Sequence, residues 1–224
     1  RGEVIETSAG AMRLDPVAEG LDEPWAIGFL PDGAFLVTER DGVLKLFAAP
    51  GADATQVSGL PVVEVYGQGG LLDLLIPADF AASREVWLTY AEARATGAVT
   101  AVGRGRLSAD GARLYGFTTV FAIPEGGSDE RHFGSRLVEA PDGTLFLTVG
   151  DRGTGPGGLE AQDPMRGEGK VFHLTRLGQP ATTLTGALPG VYSLGHRNPQ
   201  GAALDLQGRL WITEHGARGG DELN

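Results

Sequence analysis

The chain has 224 residues, 36 of them glycine, no cysteine, and a formal net charge of −11. The absence of cysteine excludes disulfides, thiolate catalysis and cysteine-ligated zinc or iron–sulfur sites. The acidic balance, with no block of lysine or arginine, argues against nucleic acid as a partner, and no stretch approaches the roughly 18 consecutive apolar residues of a membrane span. Frequent glycine favours short strands joined by tight turns. The first such strand covers residues 25–29, followed by the turn Pro31-Asp32-Gly33, the strand Phe35-Leu36-Val37-Thr38 and an outer strand at Val43–Phe47. The pattern returns as Leu71–Leu75, Pro77-Ala78-Asp79 and Val86-Trp87-Leu88-Thr89. It returns again as residues 137–140, Pro141-Asp142-Gly143 and Leu145-Phe146-Leu147-Thr148, with Lys170–Leu174 as an outer strand. A fourth copy comprises residues 202–204, Gln207-Gly208 and Leu210-Trp211-Ile212-Thr213.

Each second strand is three apolar residues followed by threonine. Strand, turn, strand at a period of about 50 to 65 residues is the pattern of a β-propeller blade. The alternative is a sandwich whose hairpins happen to look alike. The expected fold is therefore all-β: one propeller domain over residues 1–224, with about four blades present. The fourth blade reads as ending directly after its second strand, so the chain is expected to be a piece of a larger ring, truncated on its C-terminal side. It opens on Arg1 rather than methionine, and removal of a preceding segment, such as a cleaved export signal, is expected.

Polar residues gather in glycine-bounded loops next to the repeated strands, and most densely between Gly195 and Asn224. In a propeller such loops surround the central channel, where residues distant in sequence converge. His132 is a candidate general base, because imidazole titrates near neutral pH, and Asp151 is a candidate to orient it. A histidine beside a strand also serves plain packing, as expected of His173. Arg197 beside Asn198 offers a fixed cation and an amide for carboxylate or quinone oxygens, or is simply a surface arginine. The carbonyls of Gly216 and Ala217, with Asp221 and Glu222 nearby, offer hard oxygen ligands for Ca²⁺, although acidic glycine-rich loops are common. No spacing matches a zinc protease, a Walker loop or a nucleophile elbow. No helix is expected after Gly67-Gln68-Gly69-Gly70, which removes a nucleotide-binding reading.

Seven stretches in collinear order resemble the soluble quinoprotein glucose/sorbosone dehydrogenase family, and especially its aldose sugar dehydrogenase branch. They are Gly20-Leu21-Asp22-Glu23-Pro24-Trp25, Leu30-Pro31-Asp32-Gly33 with Thr38-Glu39-Arg40, and Gly67-Gln68-Gly69-Gly70-Leu71-Leu72-Asp73. His132-Phe133-Gly134-Ser135-Arg136-Leu137, Gly150-Asp151-Arg152-Gly153 and Gly195-His196-Arg197-Asn198-Pro199-Gln200-Gly201 follow. The last is Glu214-His215-Gly216-Ala217-Arg218-Gly219-Gly220-Asp221-Glu222. The resemblance implies a six-bladed propeller that binds pyrroloquinoline quinone (PQQ) with Ca²⁺ and oxidises the anomeric hydroxyl of aldoses to lactones, in a periplasmic or secreted setting. It implies that His132 is the base, Asp151 its support, and Arg197 and Asn198 the contacts to the quinone oxygens. Gln68, His215 and Asp221 would belong to the cofactor site, and the Gly216 and Ala217 carbonyls would bind the metal. The family usually has proline where this chain has Ala217, which makes that loop less rigid. It also continues for roughly two more blades, so a second chain or fragment completing the propeller is an expected partner, beside the sugar and an electron acceptor. A Ca²⁺-dependent lactonase and a non-catalytic sugar-binding propeller are the alternative readings.

Overall fold

An apolar strand, a turn and a second apolar strand fold back as an antiparallel hairpin, and repetition of that unit builds the molecule. The structure is a computed structural model that describes residues 2–95, 97–126, 129–153 and 159–224. A hairpin of β1 (Glu3–Thr7) and β2 (Gly10–Leu14) leads in. Blade one is β3 (Pro24–Phe29), β4 (Phe35–Glu39), β5 (Val43–Phe47) and β6 (Ala54–Gln56), hydrogen-bonded in that order. Blade two is β7 (Leu71–Leu75), β8 (Glu85–Arg94), β9 (Gly97–Leu107) and β10 (Leu114–Ala122), with the one-turn helix α1 (Phe80–Ser83) between its first two strands. Blade three is β11 (Leu137–Glu139), β12 (Leu145–Val149), β13 (Lys170–Leu174) and β14 (Val191–Leu194), with α2 (Leu159–Gln162) ahead of β13. Blade four contributes β15 (Pro199–Leu204), β16 (Leu210–Glu214) and β17 (Glu222–Leu223).

The aspartates in the turns act through their side chains. Asp32 Oδ1 accepts the Ala34 N–H at 3.1 Å, Asp142 Oδ1 the Thr144 N–H at 3.0 Å, and Asp205 Oδ1 the Gln207 N–H at 2.9 Å. Each carboxylate thus replaces a backbone partner and fixes the reversal. Two expectations need correction. The second turn is not a plain reversal, because Pro77-Ala78-Asp79 runs into α1. Blade four does not stop at its second strand either: β17 pairs with β16 through Thr213–Leu223 and Glu214–Glu222.

The second strands β4 and β12 are buried along their whole length. Apolar side chains on both faces are what a sheet between two others requires. Leu36, Leu44, Leu71, Leu88 and Tyr90 pack blade one on blade two. Trp87, Val102, Leu147 and Phe172 pack blade two on blade three, and Phe146, Val171 and Ile212 pack blade three on blade four. His173 is a packing residue, as expected, stacked on Phe146 with ring centroids 4.2 Å apart.

The first strands of successive blades touch one another and line the inside of the arc. Arg136 shows this most clearly. Its guanidinium lies 4.7 Å from the Trp25 ring of blade one, and its Nη1 donates to Asp73 of blade two at 2.5 Å. Its Nε donates to the Gln200 carbonyl of blade four at 2.9 Å. Four blades therefore meet at one side chain.

Candidate active site

In an antiparallel hairpin, the residues entering the first strand lie beside those leaving the second. The loops before β7, β11 and β15 therefore share one edge with the loops after β12 and β16, and all the candidate residues sit there. Gln68, before β7, reaches the next blade: its Oε1 accepts the His132 N–H at 2.8 Å. His132 has φ 55 and Ser135 φ 76, with Gly134 at φ 62 between them. Left-handed backbone at non-glycine residues is costly and survives only where the surroundings enforce it. Here Arg152 supplies much of that enforcement. It is fully buried and donates to the Ala98, Asp129 and Arg131 carbonyls at 2.5, 2.8 and 3.2 Å. Its guanidinium stacks 3.6 Å from the Phe133 ring centroid. Burial is the main influence on it and lowers its pKa to about 10.

His132 and Asp151 are both 8% exposed, and His132 Nδ1 lies 2.6 Å from Asp151 Oδ1. A carboxylate at that nitrogen selects the tautomer with hydrogen on Nδ1, leaving Nε2 as the basic nitrogen. The Asp151 N–H donates to the Arg197 carbonyl at 2.7 Å, tying the pair to blade four. The Asn198 side chain turns back the other way, and its Oδ1 accepts the Gly134 N–H at 3.2 Å. Because Oδ1 is engaged, the amide presents its N–H₂ as a donor. Arg197 Nη1 donates to the His215 carbonyl at 2.9 Å, and His215 Nε2 meets Gln200 Oε1 at 2.9 Å. Gln68, His132, Asp151, Arg197, Asn198 and His215 thus form one connected network across three blades.

The loop after β16 is more local. Asp221 Oδ1 accepts the Gly216 N–H at 3.0 Å, and the Ala217 carbonyl accepts the Gly220 N–H at 3.2 Å. Among the described residues no group of three or more histidine, aspartate or glutamate side chains is placed to hold a metal ion. A cation in this loop would rest on the Gly216 and Ala217 carbonyls and the neighbouring carboxylates, which are hard donors of the kind Ca²⁺ takes. The upper part of the site offers a guanidinium, an amide donor and a basic imidazole. That donor set suits an anionic, oxygen-rich group such as the quinone.

One contributor escaped the sequence reading. Glu214, 7% exposed, accepts the Arg197 N–H at 2.8 Å on Oε2, and the Asn224 side-chain amide at 2.7 Å and His196 Nδ1 at 3.3 Å on Oε1. Burial acts to raise its carboxyl, but His196 and the Arg197 N–H outweigh it and hold it below the ordinary range. The signal was present as an echo in blade one. There Pro24 pairs with Glu39 as Pro199 pairs with Glu214. Glu39 accepts the Asp22 N–H and the Lys45 ammonium, each at 2.7 Å. The carboxylate after the repeated threonine holds the loop residue two positions before the proline in both blades.

Fold and site together define a β-propeller with an imidazole–carboxylate pair and an Arg–Asn pair gathered at one mouth. The family model described as Glucose / Sorbosone dehydrogenase matches residues 21–224, and the chain belongs to that family. It is 42% identical over 221 residues to "Aldose sugar dehydrogenase YliI" of Escherichia coli (strain K12), a match covering 95% of this chain and 59% of that protein. The apo-form crystal structure of the soluble aldose sugar dehydrogenase (Asd) from E. coli superposes with a TM-score of 0.86 at 41% identity, over 94% of this chain and 62% of that one. The PQQ-bound aldose sugar dehydrogenase (Adh) of Streptomyces coelicolor superposes with a TM-score of 0.83 at 31% identity, over 100% of this chain and 64% of that one. The chain thus spans about three-fifths of the length of these relatives.

Proposed function

We propose that the protein acts in PQQ-dependent oxidation of the anomeric hydroxyl of an aldose to a lactone. The observation that carries the reading is the short His132–Asp151 contact beside Arg197 and Asn198, in a family with a PQQ-bound member. His132 Nε2 takes the hydroxyl proton as the C1–H bond breaks. Asp151 holds the ring in the productive tautomer and offsets the positive charge that forms on it. When bound, the quinone supplies the two-electron acceptor for the hydride leaving C1. Arg197 and Asn198 N–H₂ would hold it by its oxygens, and the Gly216 and Ala217 carbonyls would hold Ca²⁺. Gln68 acts through the His132 backbone, and His215 and Asp221 shape the rim around Arg197 and the metal loop. A periplasmic or exported location belongs to the same proposal. No helix among the described residues is long and apolar enough to cross a membrane.

The test is preincubation with PQQ and Ca²⁺, followed by an aldose and an artificial electron-accepting dye. Dye reduction is expected, and His132→Ala should lower the turnover number at least about a hundredfold, the lower range for loss of a positioned base. Normal turnover in that variant would remove His132 from the mechanism.

A further inference from the structure

The repeated threonine has a structural use that neither packing nor the proposed chemistry explains. Thr38, Thr89 and Thr148 are each 0% exposed. The Ala26 N–H donates to Thr38 Oγ1 at 3.1 Å, and Thr38 Oγ1 donates to the Leu72 carbonyl of the next blade at 2.6 Å. On the far side of that same peptide unit, the Asp73 N–H donates to Thr89 Oγ1 at 2.9 Å. Thr89 Oγ1 donates to the Ser135 carbonyl at 2.8 Å, and the Arg136 N–H, across that peptide, donates to Thr148 Oγ1 at 2.9 Å. Thr148 Oγ1 donates to the Pro199 carbonyl at 2.7 Å. A trans peptide carries its C=O and N–H on opposite sides, so the chain of bonds runs through each first strand and on to the next threonine. Every bond points the same way round, an arrangement in which neighbours polarise one another in a dry interior.

We infer that this threonine belt is the positioning device of the candidate site, with Thr89 and Thr148 as its working joints. Thr89 grips Ser135, three residues after His132. Thr148 grips Pro199, directly after Arg197-Asn198. Thr100 adds a second hold on the first loop, donating to the Phe133 carbonyl at 3.1 Å. The belt therefore sets the offset between the blade that carries the base and the blade that carries the Arg–Asn pair. Only a small side chain that both donates and accepts can occupy the joint. Valine has the same shape but leaves the amide on one side and the carbonyl on the other unpaired, whereas serine keeps both bonds.

The inference rests on the proposed roles of His132, Arg197 and Asn198, so its test needs one readout with the quinone and one without. The first is PQQ affinity by absorbance titration in Ca²⁺. The second is hydrogen exchange of the Asp151 amide, which reports the joint between blades three and four. Thr148→Val is expected to weaken PQQ binding about tenfold or more and to cut protection of the Asp151 amide by a similar factor. Thr148→Ser should stay within about threefold of wild type in both. Val191→Ala, in the outer strand of the same blade, lowers stability without touching the belt and should leave both readouts unchanged under folding conditions. Thr89→Val provides the second joint if Thr148→Val fails to fold. If wild type does not bind the quinone, the functional reading falls, and selective loss of Asp151 protection in Thr148→Val still supports positioning. Wild-type affinity and protection in the valine variants, or losses matched by Val191→Ala, would overturn the inference.

Discussion

Asp73 shows how one residue serves both channel and belt. Its N–H is part of the threonine belt, while its carboxylate, 2% exposed, accepts Arg136 Nη1 at 2.5 Å and the Leu137 N–H at 2.7 Å. Burial is the largest influence on that carboxyl and raises its pKa to about 6, against the opposing pull of Arg136. Between about pH 4 and 6 the unfolded chain has released this proton and the folded chain has kept it. Unfolding therefore releases a proton, and rising pH favours the unfolded state. The contribution is complete below the unfolded pKa and is lost as pH rises through the folded one. A shift of roughly two units corresponds to on the order of 3 kcal/mol. Urea midpoints of wild type and Asp73→Asn, compared from pH 4 to 7, should show wild type losing ground by about that amount. A difference that does not vary with pH would mean that Asp73 is ionised throughout.

At the scale of elements, the parts that hold the site are loops pinned by buried charges. Lys170, at the start of β13 and 0% exposed, donates to the Glu160, Ala161 and Glu168 carbonyls at 3.0, 2.9 and 2.6 Å. The ammonium fills a cage of carbonyls much as a metal ion would, and burial lowers its pKa to about 8. The Ala161 carbonyl also accepts the Gly195 N–H at 2.8 Å, so α2 is tied to the loop that presents Arg197. Lys170→Met keeps the stem and leaves the Glu168 carbonyl without its donor, while the Ala161 and Glu160 carbonyls keep only the Gly195 and Asp163 N–H groups. It is expected to cost roughly 1–3 kcal/mol, read as a lower urea midpoint with the β-sheet circular dichroism retained, and an unchanged midpoint would show that water replaces the ammonium freely. The blades themselves were legible in the sequence because one pair of short apolar strands, the second closed by threonine, returns four times, twice around a Pro-Asp-Gly turn. The helices α1 and α2 and the strand β17 were not, since elements of two to four residues carry no period. His132, Asp151, Arg197 and Asn198 stood out as polar residues crowded between glycines. Thr148 was legible only as a member of the repeat and Glu214 was not picked out, because what each of them does is set by a main-chain partner on a distant loop.

Over the whole chain, the proposed function requires the site to draw an anionic quinone against the chain's own field. The formal net charge is −11, yet the loops at the mouth are mixed: Arg131, Arg197 and Arg218 stand among Asp129, Glu130, Asp221 and Glu222. At close range the guanidiniums can hold a carboxylate through charge-assisted bonds. At long range their charges are cancelled by their neighbours, and the net negative charge is what an approaching anion meets. At about 0.01 M salt the screening length is about 30 Å, comparable to the size of the domain, whereas at about 0.15 M it is about 8 Å. Added salt should therefore remove the repulsion before it weakens the contacts inside the mouth. The association rate of PQQ, followed by stopped-flow absorbance, is expected to rise severalfold between those two salt concentrations while the dissociation rate changes little. A rate that falls with salt would mean that the arginines at the mouth steer the anion from a distance, and that the acidic surface faces away from its path.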